Sequence, residues 1–327
     1  MEGYEMKGTL KGVGLATKNL KNLMKGMGFI PVLILLLVAF TALNQKNFAT
    51  FSNLQNISRQ FALLALIAVA QMFPILTAGL DLSLGGVIGA VSVLSTLAIL
   101  EIGVVPGMIL GVVLGGVFGL INGGIISLFE ISPFVVTLGM MSFTRGLALM
   151  ITNGQSIYGL PDEFSYIGTE YLGPFPMPLI IALIVFLISY VILHRTRLGR
   201  YIYAIGGNEK SARMSGINIR FIKTCAYVYC GLVTGLASVV ISSRVNSGQP
   251  NLGLSASLES IAAVVIGGVS LFGGEGKLWG VFLGSVVLSL ISNSLNILNV
   301  NSYVQMMVMA AVIILAVIVD RFRYVRD

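Results

Sequence analysis

Gly273-Gly274-Glu275-Gly276-Lys277 is the stretch of this chain that most invites a chemical reading. A nucleotide-hydrolysing loop would place a glycine six positions before that lysine and a serine or threonine directly after it. Backbone amides then cradle the phosphates and the hydroxyl holds magnesium. Leu271 and Leu278 occupy those positions, so ATP hydrolysis by that route is excluded. Neither HExxH nor GxSxG occurs, which leaves a membrane protease or lipase without its metal or nucleophile. The single histidine, His194, cannot build a metal site alone; beside Arg195 at the end of an apolar run, it reads as interfacial. Cys225 and Cys230 share one apolar run at a spacing that puts them on different helix faces, so they read as packing rather than a disulfide.

The ionisable residues exclude further classes. None of the 13 Asp and Glu falls near the middle of an apolar run, whereas proton- and ion-driven carriers usually need acids there. Sodium coupling through backbone carbonyls stays open. Arg145 is the one basic residue well inside a run; it sits toward one end, where its side chain can reach the interface. The polar residues within runs are neutral: Gln71, Thr77, Asn122, Asn293, Ser294 and Asn296. A path for an uncharged polyhydroxy solute would want such groups, and interhelical hydrogen bonds would use the same ones.

The elements that hold these residues follow from composition. The chain has 327 residues, 56% hydrophobic and only 10% charged, with a mean hydropathy of +0.94. Soluble domains carry about 25% charged residues, so the class is an all-α polytopic membrane protein. A bilayer core of about 30 Å takes about 20 apolar residues as helix. Ten spans are expected: Gly28–Leu43, Gln60–Ala78, Leu82–Leu100, Gly103–Leu128, Ser132–Thr152, Met177–His194, Ile222–Ser243, Leu258–Phe272, Leu278–Leu298 and Ser302–Val319. Around Asp81 and Glu101 the joins are short enough for broken or re-entrant helices.

Charge orients them. Five lysines precede Gly28, His194–Lys223 holds seven Lys and Arg, and the end of the chain adds Arg321, Arg323 and Arg326. Asn153–Pro176 has none, and carries Asp162, Glu163 and Glu170. The positive-inside rule places both termini and the 195–221 loop in the cytoplasm, and Asn153–Pro176 outside. Ten crossings satisfy all four assignments; nine or eleven do not. The net charge of +7 is thereby explained by orientation, and no nucleic-acid face is visible. The domains read as a basic amphipathic tail over 1–27, one transmembrane unit over 28–319, and a basic tail over 320–327.

Two packing signals stand out. Gly103, Gly107, Gly111, Gly115, Gly119 and Gly123 recur at every fourth position, forming an inclined ridge that lets another helix approach closely. Pro74 should kink its span. In the cytoplasmic loop, Asn208 suits an N-cap, Glu209 suits the positive end of the helix dipole, and Gly216 suits a C-terminal stop. The result is a short, self-contained helix of about 10 Å. It suits a lever acting on a cytoplasmic partner, and equally a surface helix at the membrane interface.

His194–Ile219, HRTRLGRYIYAIGGNEKSARMSGINI, resembles the ATPase-coupling loop of the ribose/monosaccharide family of ABC-transporter permeases. Gly79–Gly86, Ser132–Gly154, Gln249–Gly280 and the ending Ser302–Asp320 agree with that family in order, so the resemblance runs from Phe48 to Asp320. Glu275, where the family often has Lys, Arg or Ser, and Trp279 depart from its pattern. The resemblance implies a type II ABC-importer-like permease subunit that imports ribose, or another monosaccharide such as xylose or galactose. It would sit in the bacterial cytoplasmic membrane as a homodimer in the lipid bilayer. Its partners would be an ABC ATPase inside, carrying ATP and magnesium, and an extracytoplasmic sugar-binding protein outside. The chain itself would bind no cofactor or metal and catalyse nothing. Gly206, Gly207, Asn208, Glu209, Ala212, Arg213, Gly216 and Ile217 match the coupling motif and would sit in a groove of the ATPase. Arg244, Asn246 and Gln249 match a loop facing the binding protein, and Asp81 matches the family's DLS motif. Asp81, Asn122, Asn293 and Asn296 are the candidate pathway or gating residues.

Overall fold

A computed structural model describes residues 29–45 and 47–324; the amphipathic segment expected over 1–27 lies outside them. A helix occupies each of the ten expected segments. In chain order they are α1 (Phe29–Asn44), α2 (Phe51–Leu76), α3 (Leu84–Ile102), α4 (Val104–Phe129) and α5 (Pro133–Thr152). After a short α6 (Asp162–Thr169) and a hairpin of β1 (Tyr171–Leu172) and β2 (Phe175–Pro176) comes α7 (Met177–Arg195). The loop that follows holds α8 (Arg197–Gly207) and α9 (Glu209–Met214). The chain ends with α10 (Ile219–Val245), α11 (Ala256–Ile266), α12 (Leu278–Ile297) and α13 (Ser302–Tyr324). Among the described residues, seven helices are long and apolar enough to cross a membrane: α2, α3, α4, α5, α7, α10 and α12.

The core forms around α2, whose residues from Phe61 to Leu76 are all buried. A helix apolar on every side belongs inside a bundle; α7, α10, α11 and α12 enclose it. The glycine ridge is a packing surface. A Cβ on Gly115 or Gly119 would strike the backbone of α10 at Gly231, Gly235 and Tyr227, and a Cβ on Gly231 would strike Gly115 in return. Farther along the ridge, Gly107 lies on Ile99, and Gly111 on Ser95 of α3 and Val239 of α10. In lipid this backbone-to-backbone contact supplies the van der Waals energy that apolar bulk cannot.

Three expectations change. In place of the span Leu258–Phe272 stands a helix of only 11 residues, Ala256–Ile266, about 16 Å long and half the bilayer core. An irregular segment carries the chain from α10 to its start. Pro74 lies in the last turn of α2, where it ends the helix instead of bending it: its carbonyl accepts from Thr77 N–H at 2.9 Å and Gly79 N–H at 3.0 Å. Near Glu101, α3 runs unbroken to Ile102, and the single residue Gly103, at φ +94°, turns the chain into α4.

Candidate functional site

Asp81 is not in a surface join. It is 3% exposed, in the irregular segment Thr77–Ser83 between α2 and α3, level with Cys230 near the middle of α10. It lies outside every helix, as its position between two apolar runs implied, yet the break buries its carboxylate among them. Its Oδ1 accepts from the backbone N–H of Ser83 at 2.9 Å and from the Ser83 hydroxyl at 2.5 Å. Oδ2 receives the Cys230 thiol at 3.8 Å. Asn122 of α4 donates through Nδ2 to Ser83 Oγ at 2.8 Å, and its Oδ1 is buried with no hydrogen-bond partner among the described residues.

The same break exposes backbone groups that a helix would have paired, and in a membrane interior each must find a partner. Gln71, with its amide turned so that both ends are satisfied, donates to the Asp81 carbonyl at 3.0 Å and accepts from its N–H at 3.2 Å. The Leu80 carbonyl accepts from Thr137 Oγ1 at 3.3 Å and Tyr227 Oη at 3.4 Å. The Leu82 carbonyl accepts from Ser257 Oγ at 2.8 Å, and that oxygen accepts in turn from Gly85 N–H at 3.0 Å. Residues of α2, α4, α5, α10 and α11 thus converge on one segment.

A second break precedes α11. Asn246 caps α10 in the left-handed conformation. Gly248 then bridges to Ile157 through hydrogen bonds of 2.8 and 3.0 Å. The chain runs back along α3: Gln249 N–H donates to Ser92 Oγ at 3.0 Å, the Pro250 carbonyl covers Gly89, and Gly253 sits on Ile88. The first turns of α3 and α11 meet where Gly85 packs against Gly253, Leu254 and Ser257. Leu80-Asp81-Leu82-Ser83 precedes one helix and Leu252-Gly253-Leu254-Ser255 the other, and each serine is the N-cap in a right-handed helical conformation. That repeated Leu-X-Leu-Ser was the available sequence signal for Ser83, Leu254 and Ser257, which motif reading passed over.

The other candidate pathway residues lie apart. Asn293 is joined to Asn53 by reciprocal amide hydrogen bonds of 3.2 and 2.9 Å, tying α12 to α2. Asn296 accepts from Gln305 Nε2 at 3.0 Å at a polar recess of about 530 Å³ beside Asn299, Tyr303 and Gln305. Of the docking candidates, Arg244 is exposed, while Asn246 and Gln249 are half-buried; Gln249 also donates to Ser247 Oγ at 2.9 Å. Arg145 is exposed on a helix, α5, of which only Thr137, Thr144 and Ala148 are buried.

The short helix α9 has the expected caps. Asn208 Oδ1 accepts from Ser211 N–H at 2.9 Å. Gly216, at φ +79°, lets its own N–H reach Arg213 C=O and the Ile217 N–H reach Ala212 C=O. Glu209 accepts from Lys223 at 2.6 Å and Arg213 at 3.3 Å, and Arg213 also reaches Glu130 at 3.5 Å. Partial burial works to raise the Glu209 carboxyl, yet the two cations hold it below the usual carboxylate range. The matched residues face two ways. Gly207, Asn208, Arg213 and Gly216 are exposed, as are Lys210 and Met214 beside them. Ala212 is buried, and Gly206 lies against Leu76 and Gly274.

Comparison with known proteins agrees with this architecture. A family described as "Branched-chain amino acid transport system / permease component" matches residues 53–317. The ribose import permease protein of Escherichia coli (strain K12) is 40% identical over 294 residues, covering 88% of this chain and 92% of that one. Its counterpart in Bacillus subtilis (strain 168) is 41% identical over 292 residues, covering 88% and 90%. The D-allose transport system permease protein of E. coli (strain K12) is 38% identical over 294 residues, covering 89% and 90%. With its seven apolar helices, the chain is a multi-pass protein of the bacterial inner membrane, and it belongs to the ABC-transporter permease family that these sugar permeases share.

Proposed function

We propose that this chain is the membrane-spanning subunit of a binding-protein-dependent ABC importer for a monosaccharide, with ribose as the leading substrate. The observation that carries the reading is the capped helix α9, exposed along one side and seated, through α8, against the end of α2 where the break begins. That arrangement suits a lever driven by a separate subunit. The ribose permeases at 40% and 41% identity support ribose, and the D-allose permease at 38% keeps other sugars within reach.

In this reading the chain crosses the membrane ten times with both termini inside. Two copies flank the path, and the chain itself is not an enzyme. A partner ATPase carries ATP and magnesium and engages the exposed side of α9, including Asn208, Arg213 and Gly216. A sugar-binding protein docks near Arg244 outside. Nucleotide-driven closure of the ATPase moves α8–α9, and the helices around the Asp81 break exchange between outward- and inward-open arrangements. Asn122, Asn293 and Asn296 are neutral and suit hydrogen bonding to an uncharged solute.

The test is uptake of radiolabelled ribose, D-allose and L-arabinose into proteoliposomes containing this chain, its ATPase and internal ATP. The cognate binding protein is supplied outside. ATP-dependent uptake of ribose above the other sugars supports the full reading. Preference for another sugar replaces the substrate, and uptake without the ATPase overturns the ABC assignment.

A further inference from the structure

We propose that Gly206, Gly273 and Gly274 form a backbone relay that carries the movement of the cytoplasmic helices α8 and α9 to the break at Asp81. The inference rests on the permease reading above and identifies the positioning residues through which the lever would act.

Three stretches of chain are stacked there with no side chain between them. A Cβ on Gly206, near the end of α8, would strike the Leu76 carbonyl of α2 and the backbone of Gly274. Gly274 N–H donates to that same Leu76 carbonyl at 3.0 Å, and a Cβ on Gly274 would strike Gly207. Gly273 lies on the backbone of Ala78, the second residue of the irregular segment that holds Asp81. Gly273 and Gly274 have φ of +86° and +73°, a conformation in which other residues are strained. Glycine is therefore required twice over, for its backbone angle and for the close approach.

The loop holding these glycines is tied to itself. Ser270 N–H donates to Glu275 C=O at 3.0 Å and Gly273 N–H to Ser270 C=O at 3.1 Å, while Phe272 N–H donates to Ser270 Oγ at 3.2 Å. Tyr203 of α8 fixes the loop's far side by donating its hydroxyl to Gly276 C=O at 2.9 Å. The same loop continues directly from α11. A displacement of α8 therefore reaches Leu76–Ala78 and the end of α11 through main-chain contact, which a side-chain rotation cannot absorb. Gly206, matched by sequence to the surface facing the ATPase, acts on the inner side of that surface.

The test measures sugar uptake and ATP hydrolysis on the same proteoliposomes of the full complex, for the parent chain, Gly274→Ala and Tyr203→Phe. The relay predicts near-parental hydrolysis in both variants. Uptake per ATP should fall about tenfold in Gly274→Ala and about two- to threefold in Tyr203→Phe, as expected when a coupling free energy is lost. Hydrolysis and uptake falling in parallel would mark a purely structural role and overturn the relay; so would an unchanged ratio in both variants. If Gly274→Ala does not assemble with the ATPase, the ratio for Tyr203→Phe, which keeps every backbone contact, decides alone. Failure of the parent chain to show ATP-dependent uptake would instead overturn the permease reading, so the two failures are distinguishable.

Discussion

The breaks before α3 and α11 share the order Leu-X-Leu-Ser and a serine N-cap, yet different forces hold them. At the first, side chains from four other helices, together with Ser83, bond Asp81 and the carbonyls on either side of it. At the second, the position equivalent to Asp81 is Gly253, at φ +79°, packed on Ile88, and contact with α3 is largely main chain on glycine. A bonded break depends on its polar partners. A packed break depends on the absence of side chains. The first should respond to loss of a hydrogen-bonding group and the second to added volume.

The largest stability effect is expected at Asp81. Asp81→Ala leaves the buried Ser83 amide and hydroxyl without their acceptor, at a cost of about 3 kcal/mol. Asp81→Asn retains an acceptor and should cost much less. Midpoints of denaturant-induced unfolding in mixed micelles would read the difference, and equal losses would contradict the bonding account. Gly253→Ala comes next, at about 1–2 kcal/mol for a left-handed non-glycine residue, measured the same way. A loss there exceeding that of Asp81→Ala would reverse the comparison. Ser257→Ala removes a side chain that bonds across both helix starts, orphaning Gly85 N–H and Leu82 C=O, at about 1 kcal/mol.

The smallest effect belongs to the lever. The folded carboxyl of Glu209 lies below the usual range, so its contribution is fully present above the unfolded carboxylate pKa. That contribution is lost as the pH falls through the folded value. Stability of the chain, read as the midpoint of denaturant-induced unfolding in mixed micelles, should decline over that acidic window in the parent chain more than in Glu209→Gln. The solvent-exposed half of this cluster keeps the change modest.

Helical segments were legible because twenty-residue apolar runs leave the backbone little alternative in lipid. The α9 caps were legible because Asn208, Glu209 and Gly216 act through their immediate neighbours. The join at Asp81 was legible, but its burial was not, because that depends on Ser83, Asn122 and Cys230, which are brought together only by tertiary packing. The half-length of α11 was hidden for a related reason. Gly267–Phe272 carries the apolar run to the end of the expected span, but there the chain turns, with Gly268 N–H bonded to Val265 C=O and Ser270 N–H to Glu275 C=O. Gly206 looked like surface because its motif does; its neighbours Leu76 and Gly274 are distant in sequence.

The central claim, that an outside ATPase drives sugar across this chain through α9, is tested most directly by sugar uptake into proteoliposomes. The parent chain is compared with the Gly207→Pro, Glu209→Ala double variant, each with and without ATPase, with binding protein outside and ATP inside. The account predicts uptake only from the parent with the ATPase present. Uptake without the ATPase, or undiminished uptake by the variant, would contradict it.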